Sequence, residues 1–439
     1  MFSSNDKISN RQLKRMLIFD MFSASCLIVP YLAVRGKEEE GFIPVILGTI
    51  LALVYAGIMY LFMKQFNKGE VVVDTRQVQG QGEYPVHQRE SKTIGVSYIS
   101  YSKKTVGSII TGIFSILYLI KFFVLLVFSV NLFTYVIGDT LLSDTNPKVI
   151  LTTLLLVAAY GGVQGIEKRA RFTELVYYLV LIPIIGYLLL GIPRIDISNL
   201  VLPAMNENNM SQSFFVKGDH NYLWGGYLIL LTFSVLETLL FVIPYVSNNL
   251  SKNKKIFNYI MQGVLIIGIL NLFIYIVTVG TLGVGETSEK FWSVITIMQV
   301  IELPGGFIKR QDGIMIAFWT LSIFTLLSAY MFYLAHITEE YIQLCILNHF
   351  PNRKRDKNAI HQTPIHSYTI IAFGVLAYIA SLFITSIEDE FVNFGRYFAY
   401  IGIPQSILIP LFILLVSIVR FPKSKQDKRR ATGHEDIKK

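Results

Sequence analysis

Charge is scarce in this chain. Asp, Glu, Lys and Arg make up 16% of its 439 residues, while 53% are hydrophobic, against roughly 25% charged in a soluble globular protein. That balance excludes a disordered chain, which lacks the apolar surface to fold, and fits a water-soluble enzyme poorly. Cysteine is rarer still, and Cys26 and Cys345 cannot build a disulfide scaffold. Histidines are scattered, none with cysteines or carboxylates at metal-ligand spacing, so no metal or other cofactor is expected. A phosphate-binding glycine loop is missing, which excludes direct use of ATP. Neither GxSxG nor HExxH occurs, nor a TVGYG filter, and no polar catalytic cluster stands at either end of the apolar runs. The chain reads as a non-enzyme.

What the chain has instead is long apolar runs. A bilayer core takes about 20 mostly apolar residues per helix. Ten runs qualify, at roughly 12–34, 42–65, 106–138, 148–165, 171–191, 222–247, 257–283, 312–343, 367–387 and 397–420. The purest is the third, where Ile109 to Val136 holds a single formal charge, Lys121. The first follows Lys7, Arg11, Lys14 and Arg15 and contains Ser23-Ala24-Ser25-Cys26, which resembles a lipoprotein cleavage box. Its apolar residues continue through Ile28, Val29 and Tyr31, so it reads as an uncleaved first span.

Positive charge sets the orientation. With the N-terminus inside, 29 of the 39 Lys and Arg fall on cytoplasmic segments and nine outside, Lys121 being the remaining one. The excess of basic residues is therefore a topology signal in a lipid bilayer and not a nucleic-acid surface. The domain plan is one membrane unit over 1–422, with a polar cytoplasmic linker at 66–104 that has room for a short interfacial helix, and a charged, disordered tail at 423–439. The segment 284–311, with Pro304-Gly305-Gly306, is too short to span twice and reads as surface-lying or re-entrant.

Ten spans divide into halves, about 12–191 and 222–420. An odd number of spans in each half forces the halves into opposite orientations, the plan of many transporters with a ligand site where broken helices meet. Val29-Pro30-Tyr31 in span 1 and Ile243-Pro244-Tyr245 in span 6 register the halves, setting Ser23 opposite Glu237 and Asp20 opposite Ser234. Each helix thus carries polar residues about two turns before its proline, where free backbone groups of a broken helix hold a ligand's carboxylate and ammonium.

Asp20, Lys121 and Glu237 are the ionisable residues well inside spans. Burying each costs at least about 2.5–3.5 kcal/mol, so each is expected to face the bundle interior. An ion pair between Lys121 and Glu237 would lower the cost of both, whether as proton relay, substrate contact, gate or structural tie between helices; the sequence leaves these open. Asp20 reads as an inner gate or as a partner of a nearby Lys or Arg. Thr320, Ser322, Thr325 and Ser328 stripe span 8 with hydroxyls beside Tyr330, either to bind an ion or to bond helix to helix.

Four segments carry a family resemblance: Leu142-Ser143-Asp144-Thr145-Asn146-Pro147, Gly165-Ile166-Glu167-Lys168-Arg169-Ala170-Arg171-Phe172, Ile195-Asp196-Ile197-Ser198-Asn199-Leu200-Val201-Leu202-Pro203, and Glu302-Leu303-Pro304-Gly305-Gly306-Phe307-Ile308-Lys309-Arg310-Gln311-Asp312. In their order and spacing the chain resembles the GerAB-type spore germination proteins, B subunits of nutrient germinant receptors within the amino acid/polyamine/organocation permease superfamily. The resemblance covers roughly 8–420. It implies an all-α LeuT-like 5+5 fold with helices 1 and 6 broken, an amino-acid-like ligand, an A-type membrane subunit and a C-type lipoprotein as partners, and the spore inner membrane as location. By position the implied site residues are Ser23, Ala24, Ser25 and Cys26 in helix 1, Lys121 in helix 3, Phe233, Ser234 and Glu237 in helix 6, and Tyr330 in helix 8. The function it implies is nutrient sensing; a secondary transporter coupled to protons or Na⁺ is the second reading, and a structural subunit with a vestigial pocket the third.

Overall fold

Each of the ten apolar runs lies on helix over most of its described length. The computed structural model describes residues 7–36, 41–66, 97–200, 222–242, 245–246, 255–301, 311–349, 364–384 and 386–420. Pro244, Pro304-Gly305-Gly306, most of the 66–104 linker and the 423–439 tail lie outside the described residues.

The helices are α1 (Asn10–Gly36), α2 (Phe42–Phe66), α3 (Tyr98–Val106), α4 (Ser108–Thr140), α5 (Pro147–Val163) and α6 (Gly165–Gly191) in the first half. In the second half come α7 (Tyr222–Ile229), continued by a 3-10 stretch (Leu230–Thr238) and α8 (Leu239–Val242), then α9 (Lys255–Glu289) and the short α10 (Ser293–Val300). The chain continues through α11 (Gln311–His349), α12 (Pro364–Leu382), α13 (Ile387–Tyr397), a π turn (Phe398–Gly402) and α14 (Ile403–Arg420). Among the described residues there is no strand beyond a single parallel bridge, Ile8 to Val246. Eight helices are long and apolar enough to cross a bilayer, nine with bent α1 counted as one span; α5, expected as the fourth span, has only 17 residues.

Local chemistry sets several boundaries. Asn146 caps α5 by accepting the Lys148 N–H at 3.0 Å, with Pro147 filling the first turn, where no N–H is needed. Gly165, at φ 81°, makes the sharp turn from α5 into α6 that a side chain would strain. Ser386 caps α13 by accepting the Glu388 N–H at 3.2 Å. Two expected boundaries move. The 165–171 stretch, read as a cytoplasmic loop, is the first two turns of α6, and the tenth span begins ten residues early because α13 and the π turn run without a break into α14.

The linker ends in structure: α3 is helical, with Tyr98, Ile99 and Tyr101 buried against the bundle. In the 284–311 segment, α10 buries Val294, Ile295, Ile297 and Met298 and packs on α1, α9 and α11. Tyr187 of α6 anchors its end by donating to the Ile301 carbonyl at 2.8 Å. Bent α1 packs most extensively on α9 and touches α6, α7, α11 and the 3-10 stretch, so it runs through the centre of the fold.

Candidate functional site

Both expected helix breaks are present. Helix α1 bends by 50° between Ser23 and Ser25, and the sixth span changes from α-helix to 3-10 at Leu230 and back after Thr238. Hydroxyls sit at both bends, where side chains that bond their own helix's carbonyls compete with its ladder. Ser23 Oγ lies 2.7 Å from the Phe19 carbonyl and 2.9 Å from the Ser322 carbonyl of α11. Thr232 and Thr238 donate to the carbonyls of Ile229 and Val235, each at 2.7 Å and three residues back. Ser25 donates to Asn271 Oδ1 of α9 at 3.1 Å. Cys26 is buried, as are Phe233, Ser234 and Glu237 in the 3-10 stretch; the side chain of Ala24 lies outside the described residues.

Asp20, Lys121 and Glu237 are each paired. Lys121 of α4 donates to Glu237 Oε2 at 2.7 Å and to the Gly402 carbonyl at 3.0 Å, with both side chains fully buried. Its third donor goes to Ser406 Oγ, which itself lies 3.0 Å from Glu237 Oε2. The cluster ties α4, the 3-10 stretch, the π turn and α14 together. Asp20 pairs with the guanidinium of Arg169, whose Nε also donates to the Thr325 carbonyl of α11 at 3.2 Å. Toward the N-terminus of α1, Arg11 reaches Glu174 at 2.9 Å and Arg15 pairs with the same carboxylate, joining α1 to α6 again.

An apolar cavity lies between these helices. It is lined by Ile28 of α1, by Leu125, Phe128, Ser129, Leu132 and Phe133 of α4, and by Leu231, Thr232, Ser234 and Val235 of the 3-10 stretch, with Tyr330 of α11 and Phe394 of α13. Of the nine residues named from the sequence, Ser234 and Tyr330 line it. Ser23, Ser25, Cys26, Phe233, Lys121 and Glu237 are buried in the same bundle centre but outside this lining. Three of the four span 8 hydroxyls, those of Thr320, Ser322 and Thr325, donate to carbonyls of their own helix. The lining carries hydroxyls as its polar groups and no charged side chain, and in this arrangement it leaves about 20 Å³, room for little more than one water, so a ligand enters only as the lining helices move apart.

Sequence reasoning missed several participants. Arg169 was read as a loop charge. Ser406 and Gly402, the partners of Lys121, gave no signal as an ordinary serine and glycine. Glu237 Oε1 is buried with no hydrogen-bond partner among the described residues, and the hydroxyls of Tyr55, Tyr98 and Tyr118 are buried in the same region. Tyr98 and Tyr118 meet edge to face at 5.7 Å, one turn from the ion pair.

Comparison with known proteins agrees with this geometry. The fold matches the solved structure of a Na⁺-coupled sialic acid symporter in a substrate-bound outward-open state, with a TM-score of 0.62, 13% identity, and coverage of 92% of this chain and 78% of that one. Curated relatives in Bacillus subtilis (strain 168) include spore germination protein YndE, 22% identical over 74% of this chain and 78% of its own length. Spore germination protein A2 is 25% identical over 72% and 75% of the two chains, and spore germination protein B2 is 22% identical over 74% and 77%. The family described as spore germination protein matches residues 87–348, more than half of the sequence. With a transporter fold broken at two facing helices, the chain belongs to the spore germination protein family.

Proposed function

We propose that this chain is the ligand-binding membrane subunit of a nutrient germinant receptor, which senses an amino acid or similar small nutrient in a permease-type pocket. The observation that carries the reading is the cavity bounded by α1 beyond its bend and by the 3-10 stretch of the sixth span, in a member of a spore germination family. Ligand bound there shifts the bundle between two arrangements to the extent that it binds one more tightly; moving a 1:99 equilibrium to 99:1 takes about 5.5 kcal/mol of differential affinity. The basic loops support cytoplasmic termini, and the family supports the spore inner membrane. An A-type membrane subunit and a C-type lipoprotein are the partners in this reading. The fold shared with a Na⁺-coupled symporter favours the second reading, a secondary transporter driven by protons or Na⁺.

Reconstitution into liposomes with labelled amino acids separates the two. The sensor reading expects saturable binding without accumulation under a proton or Na⁺ gradient. Concentrative uptake driven by either gradient overturns it in favour of the transporter.

A further inference from the structure

Five carboxylates are buried among the described residues: Asp20, Glu237, Glu339, Glu340 and Glu390. Asp20 faces Arg169, Glu237 faces Lys121, and Glu339 and Glu340 face His366 and His336. Glu390 of α13 faces no basic group among the described residues. It is 8% exposed, its Oε1 accepts a hydrogen bond from the Asn131 amide at 3.1 Å, and its Oε2 is buried without a partner. A buried carboxylate met by one neutral donor is costly to keep, because the solvation it loses is not replaced.

Its helix reaches the cavity wall through one residue. Phe394, one helical turn on, lines the cavity and stacks on Phe128 with ring centroids 3.5 Å apart. Phe391, the next residue, lies 5.3 Å from the Phe128 ring, 5.1 Å from Phe291 and 6.0 Å from Tyr31. Exposed Glu388 and Asp389 precede it on the same helix and raise the local concentration of cations. A carboxylate oxygen left open on the same helix as two clustered aromatic rings offers the chemistry that recognises an organic ammonium, an oxygen for the N–H bonds and rings for the remaining positive surface.

We propose that Glu390, oriented by Asn131 and one turn from the cavity-lining Phe394, receives the ammonium group of a ligand whose apolar part enters the cavity beside Ser234 and Tyr330 as that cavity widens on binding. The assignment rests on the ligand-binding reading above and adds the charge class of the ligand, an organic amine. It moves the counter-charge for that amine from the broken helices to the start of the tenth span.

The test uses the full-length chain in detergent micelles and three probes of similar shape: L-valine, isobutylamine and isovalerate. Binding is read by intrinsic tryptophan fluorescence and by ligand-induced thermal stabilisation. In the unmodified chain, L-valine and isobutylamine are expected to bind about tenfold or more tighter than isovalerate, and Glu390→Gln to weaken both amines by a similar factor while leaving isovalerate unchanged. Glu390→Asp, which keeps the charge, is expected to fall between. The comparison of probes on the unmodified chain stands whether or not a variant folds. Isovalerate binding as tightly as L-valine, or Glu390→Gln retaining full amine affinity, overturns the amine assignment and leaves the cavity reading standing. No binding of any probe overturns both.

Discussion

Removing Lys121 tests how the centre of the bundle is held. Its ammonium uses all three donors, on Glu237, the Gly402 carbonyl and Ser406. Lys121→Met keeps most of the volume and strands a fully buried carboxylate with only the Ser406 hydroxyl to meet it. Breaking a buried pair from one side costs about 3–5 kcal/mol, because an uncompensated charge stays behind. Glu237→Leu strands the ammonium and costs a similar amount. Changing both together removes both charges, and such apolar replacements of a buried pair are commonly near neutral. The double variant is therefore expected to be more stable than either single one, in unfolding by SDS titration from mild-detergent micelles. The exchange Lys121→Glu with Glu237→Lys is expected to rescue only in part, since it sets a carboxylate against the Gly402 carbonyl. Single costs below about 1 kcal/mol, in the range of exposed pairs, would refute the reasoning, as would single effects that simply add in the double variant.

The Asp20–Arg169 pair makes the same kind of claim at the other tie: Asp20→Asn is expected to cost about 3–5 kcal/mol in the same titration. Arg169→Lys is expected not to restore full stability, because the guanidinium reaches the Asp20 carboxylate and the Thr325 carbonyl from two separate nitrogens set by its planar fork, a spacing that a single ammonium nitrogen lacks. A Cβ added at Gly161 would stand 2.9 Å from the Phe324 ring and nearer still to Ser328 Oγ, whereas at Gly186 it would meet nothing within 4 Å. Gly161→Leu should thus cost about 1–3 kcal/mol by forcing α5 from α11, with Gly186→Leu unaffected in the same thermal-melting assay. Ser23→Leu and Glu237→Gln are each expected to abolish the ligand response while membrane insertion, followed by protease protection, stays intact; a normal response in both variants would put the site elsewhere.

The helices and their breaks were legible because their physics is local. Twenty apolar residues declare a span whatever surrounds them, and Ser23-Ala24-Ser25 in an apolar run weakens the helix from within. The intramembrane charges were legible as participants, since lipid makes an unpaired charge expensive. Their partners were not. Nothing in the sequence around Ser406 distinguishes it from the serines that bond their own helix, and its contact with Lys121 crosses 285 residues. Arg169 misled for a related reason: next to Lys168 and Arg171 it reads as one of a basic loop trio, yet only Arg169 points inward and is buried. Position on a helix face decides that, and the helix was assigned a start six residues too late. Glu390 was missed because its turn, Glu388-Asp389-Glu390, has the composition of a solvated helix start.

The two ends of the bundle are closed by different forces, and the difference sets which end yields first. At the N-terminal end of α1, a buried ion pair and the Arg11–Glu174 and Arg15–Glu174 contacts bind α1 to α6. At the other end, Tyr31, Phe128, Phe391 and Phe394 meet through ring contacts at 3.5 to 6.0 Å. The ionic contacts are directional, charge-assisted hydrogen bonds that hold one geometry, whereas ring contacts, worth about 0.5–1.5 kcal/mol each beyond the area they bury, tolerate sliding. The π turn directly after α13 adds a point where the helix ladder is already interrupted. The aromatic end is therefore expected to open at lower cost. Cysteine placed at Phe391 should react with a water-soluble thiol reagent faster than cysteine placed at Thr173, which is fully buried on α6 near the ionic end. Ligand should slow the first reaction and leave the second unchanged, and faster labelling at Thr173 would reverse the order of closure.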